Sequence, residues 1–287
     1  MDKQHADEIQ CLQETHAKEV QCLHKKIKDL EQSIISSKTA KNGYKEEDNI
    51  CNDFNDNQTI RGLVQAFVGF ELGTFNKYDG KNKGHGKTDI CCTNNCSFQI
   101  KKTKLGQFGQ IDRHWLKDII AFIPDLKPIA FMLEALCEIP LLECNQQIDK
   151  SKERVLLSPQ NYSCNELTQF VQLLNERQIK RCMLNYVFKG TDPECAPTFL
   201  CGVQYDKTGE TREKLTIYRM DDVVNHLMTH DFVINAGQSV VSLANILSFQ
   251  RKGGDGGKKG ANQVQFKLVF SKLDNQINNH QLVYSLV

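Results

Sequence analysis

Neither sign of charge dominates this chain: 36 Lys and Arg stand against 35 Asp and Glu, a formal net charge of +1. No global field gathers nucleic acid, so any basic surface has to come from local clustering. Long apolar runs are missing too. The most hydrophobic stretch, LKDIIAFIPDLKPIAFMLEAL, is broken by two prolines and several charges. It does not offer the ~20 uninterrupted apolar residues that span a bilayer, so no membrane role is expected. MDKQHADEIQ at the start is polar and lacks an apolar h-region, which points to an intracellular, reducing compartment. Twelve cysteines occur without a single CxxC pair. Reduced, mostly buried thiols are the expectation. Cys91, Cys92 and Cys96 lie close together, but a zinc site wants a second pair or histidines to complete a tetrahedron. No G-x-x-x-x-G-K-[ST] or strand–helix G-x-G-x-x-G appears, so no nucleotide cofactor is indicated. No G-x-S-x-G is present either.

The N-terminal segment repeats itself. HADEIQCL at 5–12 returns as HAKEVQCL at 16–23, an eleven-residue period. Ile9, Leu12, Val20, Leu23, Ile27 and Leu30 step by threes and fours, with His16 in the gap. This is a coiled-coil seam with one stutter, and it predicts a dimerisation helix over 1–35. The stretch 36–57 is polar and reads as a linker. A core segment follows over 58–150, and a β-rich recognition region over 151–287 that can belong to the same domain.

Within the core, IRGLVQAFVGFEL places Ile60, Leu63, Val64, Phe67 and Glu71 on one helical face. A carboxylate on that stripe needs a metal, a lysine or a hydrogen-bond network. TDICC (88–92) and CSFQIKKTK (96–104) read as strands around the turn TNN. Phe98 and Ile100 share one face of the return strand, Gln99 and Lys101 the other. IDRHWLKDIIAFI (111–123) reads as an amphipathic helix, and IAFMLEALC (129–137) as a shorter one. Further on, NELTQFVQLLNERQIKRCMLNYVF opens as a helix and ends as a strand. A hairpin is expected over 197–220 around DKTGE, then a short helix over 220–228. Two more strands flank a glycine–lysine loop. Helices packed on a sheet make this an α/β protein.

Phosphodiester hydrolysis needs a divalent cation, oxygen ligands that leave it some water, and a positive group beside the scissile phosphate. Asp89 is the natural ligand, Gln99 offers a neutral carbonyl oxygen, and Lys101 projects from the same strand face about 7 Å away. The backbone carbonyl of Ile100 and the carboxylate of Glu71 can complete the shell. Asp89…Gln99-Ile100-Lys101, preceded by a helical Glu71, resembles the PD-(D/E)XK nuclease superfamily over roughly residues 55–125. Thr88 stands where the usual pattern has proline, and Gln99 where it has the second acid. The resemblance implies a restriction-endonuclease-like core, a mixed sheet flanked by helices, with the N-terminal coiled coil and the β-rich C-terminal part added. It implies a Mg²⁺-dependent endonuclease on double-stranded DNA, with Mn²⁺ as a substitute metal and a homodimer placing two centres on two strands. Asp89, Lys101 and Glu71 must then converge on one divalent ion. A homing endonuclease, a junction resolvase, or a coiled-coil-tethered DNA-binding protein with an inactive core are the alternatives.

The spacing also occurs a second time, as Asp255…Gln265-Phe266-Lys267, but without an inward helical acid before it. DNA contacts are expected from two basic loops. Lys83 and Lys87 lie in KYDGKNKGHGK with His85. Arg251, Lys252, Lys258 and Lys259 lie in FQRKGGDGGKKGANQ with Gln250 and Asn262. Lys102 and Lys104 are expected on the duplex backbone, and Gln110 and Arg113, with His114, at the start of the helix after the centre. His226 and His230 have metal-compatible spacing but no evident third ligand.

Overall fold

The computed structural model describes residues 19, 20, 23, 44–78, 86–94, 96–104, 109–137, 155–251, 263–277 and 281–286. Two compact units are present, Met1–Lys45 and Glu46–Val287. In the first, residues 19, 20 and 23 are helical and exposed, and the remainder of the coiled-coil seam lies outside the described residues. Everything below concerns the second unit.

Residues 46–56 form helix α1, where polar composition suggests a linker. The polar reading fails because Glu46, Glu47, Ile50, Cys51 and Phe54 make a buried stripe at helical spacing. Glu46 is tolerated inside because Arg212 lies 3.3 Å away and the Tyr205 hydroxyl donates to it. Helix α2 (Gln58–Val68) starts on Asn57, whose side chain accepts from the Ile60 N–H at 3.1 Å. It stops at Gly69, which takes φ 87°, a left-handed conformation that glycine adopts without a Cβ clash.

Three short steps follow: β1 (Phe75–Lys77), β2 (Ile90–Cys92) and β3 (Cys96–Lys104). They are succeeded by β4 (Gly109–Trp115), α3 (Leu116–Phe122), a 3₁₀ stretch (Pro124–Ile129) and α4 (Ala130–Cys137). The expected helix over 111–123 is therefore strand in its first five residues. Helices α5 (Cys164–Asn175) and α6 (Arg177–Lys189) come next. Residues 177–189 are helical to the end, not a strand: Ile179, Met183, Leu184, Val187 and Phe188 supply a helical apolar face. The chain closes with β5 (Phe199–Tyr205), β6 (Arg212–Arg219), α7 (Met220–Met228), β7 (Phe232–Ile234), β8 (Val240–Leu243), β9 (Leu247–Arg251), β10 (Gln263–Leu268), α8 (Phe270–Gln276) and β11 (Gln281–Ser285).

The result is a mixed α/β fold with two sheets. The first runs β1-β2-β3-β5-β6-β11, with β3 and β5 parallel and the other pairs antiparallel. The second, β4-β10-β9-β8-β7, is antiparallel throughout. Because β3 pairs with β5, the segments 58–150 and 151–287 share one sheet. One face of that sheet, with Phe98, Ile100, Cys201, Val203 and Ile217, packs on α1 and α2; Phe54 meets Phe75 and Phe98 at ring distances of 5.0 and 5.2 Å. Leu200 and Tyr218 on the other face join the larger core built by the second sheet and helices α3–α8. Gly202 sits here because the Phe270 ring lies 2.7 Å from where a Cβ would stand. Gln99 and Lys101 are in register with Leu200 and Gly202. They therefore point toward the second sheet, Gln99 buried and Lys101 half-buried.

Cys51, Cys92, Cys96, Cys195 and Cys201 are buried thiols. Among the described residues no helix is long and apolar enough to cross a membrane.

Candidate active site

A cavity of about 270 Å³ opens between the two sheets, lined by Gly86, Lys87, Asp89, Gln99, Lys101, Gln110, Ile111, Asp112 and Arg113. Its lining comes from three pieces of chain. The first is the run into β2, the second the polar face of β3, and the third β4. Two of these are neighbours because β2 and β3 form a hairpin, with Ile90 opposite Phe98. That pairing sets Asp89 against Gln99 and Ile100.

Asp89 is held by its own backbone and its side chain. Its N–H donates to the Phe98 carbonyl at 2.8 Å, and its Oδ2 accepts the Ile100 N–H at 2.7 Å. Lys101 Nζ lies 3.8 Å from the same oxygen. Ile100 thus enters the site through its amide. Gln99 is only 1 % exposed, and its Oε1 is buried with no hydrogen-bond partner. A buried amide carbonyl left unpaired costs about 1–3 kcal/mol, so this oxygen is expensive unless something comes to meet it.

The wall formed by β4 brings a second carboxylate. Asp112 Oδ1 pairs with Lys87 Nζ, lies 2.8 Å from His114 Nε2, and accepts the Arg113 N–H at 2.8 Å. The register of β4 against β10 shifts between Phe266 and Lys267, leaving an extra residue on β4. Ile111 and Asp112 are in consequence buried one after the other, whereas strict alternation would have put Asp112 outward with Gln110. Burial pushes the Lys87 ammonium down to about 8, against the pull of Asp112, which favours its charge. Lys101 adds to the lowering and Asp89 opposes it. The His114 ring packs edge-on to Tyr186 of α6 at 5.1 Å. Gln110 accepts from the Gln265 side chain of β10, and Gln265 in turn lies opposite Gln250 of β9.

Six residues expected near the centre do meet at this cavity: Asp89, Gln99, Lys101, Lys87, Gln110 and Arg113. Glu71 does not. Helix α2 has ended at Gly69, so Glu71 is exposed on irregular chain, where its carbonyl accepts from the Asn94 side chain at 2.8 Å. Its place on a helical stripe was an extrapolation past the C-cap. Lys102 and Lys104 project from the opposite face of β3. Lys102 Nζ sits 3.5 Å over the Tyr205 ring, and Lys104 donates to the Thr208 carbonyl at 2.9 Å. Gln265 and Lys267 of the second spacing lie on β10, while Asp255 is outside the described residues, as are Lys83, His85, Lys252, Lys258, Lys259 and Asn262. The backbone of Arg251 ends β9. His226 on α7 and His230 just past its end hold their rings 4.9 Å apart, and neither lines the cavity.

Asp112 is absent from the sequence reading, and His114 enters it only as a residue at the start of an expected helix. The only local signal is Asp-x-His placed between Gln110 and Trp115, and it becomes meaningful once 109–115 is a strand. No protein-family model matches the chain, and no curated protein matches it.

As a ligand set, Asp89 and Gln99 fit a hard cation that keeps most of its water: one carboxylate and one buried, unpaired carbonyl. Among the described residues no three of His, Cys, Asp and Glu form a metal-holding group. The donors suit Mg²⁺ and do not suit a tetrahedral zinc.

Proposed function

We propose that this chain is a Mg²⁺-dependent endonuclease acting on double-stranded DNA, with a core of the PD-(D/E)XK type. The observation that carries this is that Gln99, whose Oε1 is buried and unpaired, lines the same cavity as Asp89 and Lys101. A carboxylate, a neutral oxygen and an ammonium, drawn from two adjacent strands, supply the three requirements of phosphodiester hydrolysis. The loss of Glu71 removes one expected ligand. It does not remove the minimum set, since Mg²⁺ is commonly bound through one or two carboxylates plus substrate oxygens.

Asp89 and Gln99 would hold the cation, which when bound neutralises phosphate charge and makes water more acidic. Lys101, fixed near Asp89 by the period-2 geometry of β3, faces the phosphate or the attacking water. Its ammonium stabilises the extra negative charge of the transition state without moving. Hydrolysis forms one P–O bond from water and breaks the bond to the 3′ oxygen. The ends are a 5′-phosphate and a 3′-hydroxyl, the latter protonated from water. Arg113 and Gln110 at the cavity mouth, with Gln250 beyond on the same sheet, supply candidate contacts to the flanking duplex.

A DNA-binding protein with a silent core is the second reading, favoured because a lysine faces each carboxylate. Supercoiled plasmid incubated with Mg²⁺ and with EDTA separates the two. Asp89→Ala and Lys101→Ala should each abolish cutting while duplex binding survives. Wild-type cutting rates in both variants would remove the assignment.

A further inference from the structure

We propose that Lys87 is a second catalytic cation of this site, touching the same phosphate as Lys101, and that Asp112 and His114 are the positioning residues that hold it there. This rests on the phosphodiesterase reading above.

Lys87 and Asp112 are 8 % and 6 % exposed, yet both border the cavity. Burying an ion pair is at best an even exchange against two apolar side chains of similar size. A purely structural role would therefore be served as well by a leucine pair. The backbone around Lys87 is fixed independently of its side chain. The N–H groups of Lys87 and Thr88 and the Thr88 hydroxyl all donate to the Cys195 carbonyl, at 3.3, 3.2 and 2.9 Å. Two residues later the same run delivers Asp89. Lys87 and Asp89 thus leave one anchored strip on the same side, and the Lys87 ammonium stands within electrostatic reach of both Asp89 and Lys101.

Asp112 is arranged to aim that ammonium. One oxygen, Oδ1, takes Lys87, His114 and the Arg113 amide together, so the carboxylate is held from three sides. His114 is itself set by the Tyr186 ring. The order His114–Asp112–Lys87 follows the logic of a reacting group oriented by a second and the second by a third. A lysine has three donor hydrogens. The pair with Asp112 uses one and leaves others for phosphate oxygens. Three cationic side chains, Lys87, Lys101 and Arg113, face two carboxylates at this cavity, an excess of one positive charge that suits an anionic ester.

The test measures thymidine 3′,5′-bisphosphate binding with Ca²⁺ in place of Mg²⁺, and single-turnover plasmid cutting with Mg²⁺. Lys87→Met should weaken the bisphosphate about tenfold or more and slow cutting by about 100-fold, the scale of one lost transition-state donor. Asp112→Asn should do part of the same. Because Asp112 acts through Lys87, adding Asp112→Asn to Lys87→Met should cost less than about twofold further. The double variant also removes both buried charges at once, so it is the one expected to fold if Lys87→Met alone does not; circular dichroism and melting report this. His114→Gln should lose cutting only where Lys87 is present. Bisphosphate binding by Lys87→Met at wild-type strength overturns the proposal and leaves the nuclease reading standing. So does a full, additive loss from Asp112→Asn in the Lys87→Met background. Wild-type protein that neither binds the bisphosphate nor produces ends overturns both.

Discussion

Replacing Gln99 with methionine should make the metal-free protein more stable and the metal-loaded protein less so. Gln99 is 1 % exposed and its Oε1 has no hydrogen-bond partner. The carbonyl has been stripped of water without compensation, a cost of about 1–3 kcal/mol. Methionine has nearly the same length and volume, so the substitution opens no cavity and forces little strain. The expected gain is about 1–2 kcal/mol, or about 2–8 °C in melting temperature at about 2–4 °C per kcal/mol for a domain of this size. Divalent ions reverse the order. A ligand at 100 times its Kd stabilises the native state by about 2.7 kcal/mol, and the variant has lost one of the two protein oxygens that bind it. Urea melts with Mg²⁺ and with EDTA measure all four values. The explanation fails if the variant is destabilised by more than about 1 kcal/mol in EDTA, beyond the usual cost of a volume-conserving swap. It fails equally if Mg²⁺ stabilises both proteins alike.

Glu71→Ala should leave both cutting and stability unchanged, the latter within about 0.5 kcal/mol, since an exposed side chain outside the cavity is removed; loss of activity on plasmid would restore Glu71 to the site. The contribution of Lys87 to folded-state stability should rise with pH between about 8 and the ordinary lysine value near 10.5. Burial lowers the proton affinity of Lys87, so the unfolded chain binds more protons across that window; the penalty, about 3 kcal/mol, is full below pH 8 and gone above 10.5. Denaturation midpoints of wild type and the Lys87→Met, Asp112→Asn double variant should therefore converge or cross as pH rises, and parallel curves refute the assignment. Gly202→Ala should cost about 1–3 kcal/mol by driving a methyl into the Phe270 ring, visible as a lower melting temperature; an unchanged melt would mean that α8 gives way freely.

Local patterns carried the elements whose cause is local. The hairpin of β2 and β3 was legible because TNN breaks two short strands, and period 2 alone puts Gln99 and Lys101 on one side. Helix α2 is legible from its 3.6-residue stripe, of which Ile60 and Val64 are buried and Leu63 is exposed, but the stripe does not reach Glu71 because Gly69 ends the helix. The stretch 111–115 misled because its apolar residues also fit a helix. What makes it a strand is β10, some 150 residues further along, to which every residue of β4 except the bulged one is paired. Helix α1 was hidden for a similar reason: Glu46 looks like a solvent residue until Arg212 and Tyr205 arrive to receive it.

By itself the sequence determined which residues could do chemistry in the hairpin, Asp89, Gln99 and Lys101, since hydrogen-bonded neighbours ten residues apart need no tertiary information to meet. Only the tertiary structure decided that Glu71 stays in water, that Lys102 and Lys104 turn away, and that Asp112 joins the cavity, with Lys87 and His114 on one of its oxygens. Those outcomes depend on a helix cap, on strand parity and on one bulge against a distant partner strand. Side-chain direction reverses with each single-residue shift of register, and register between remote strands is set by the packing of the whole core.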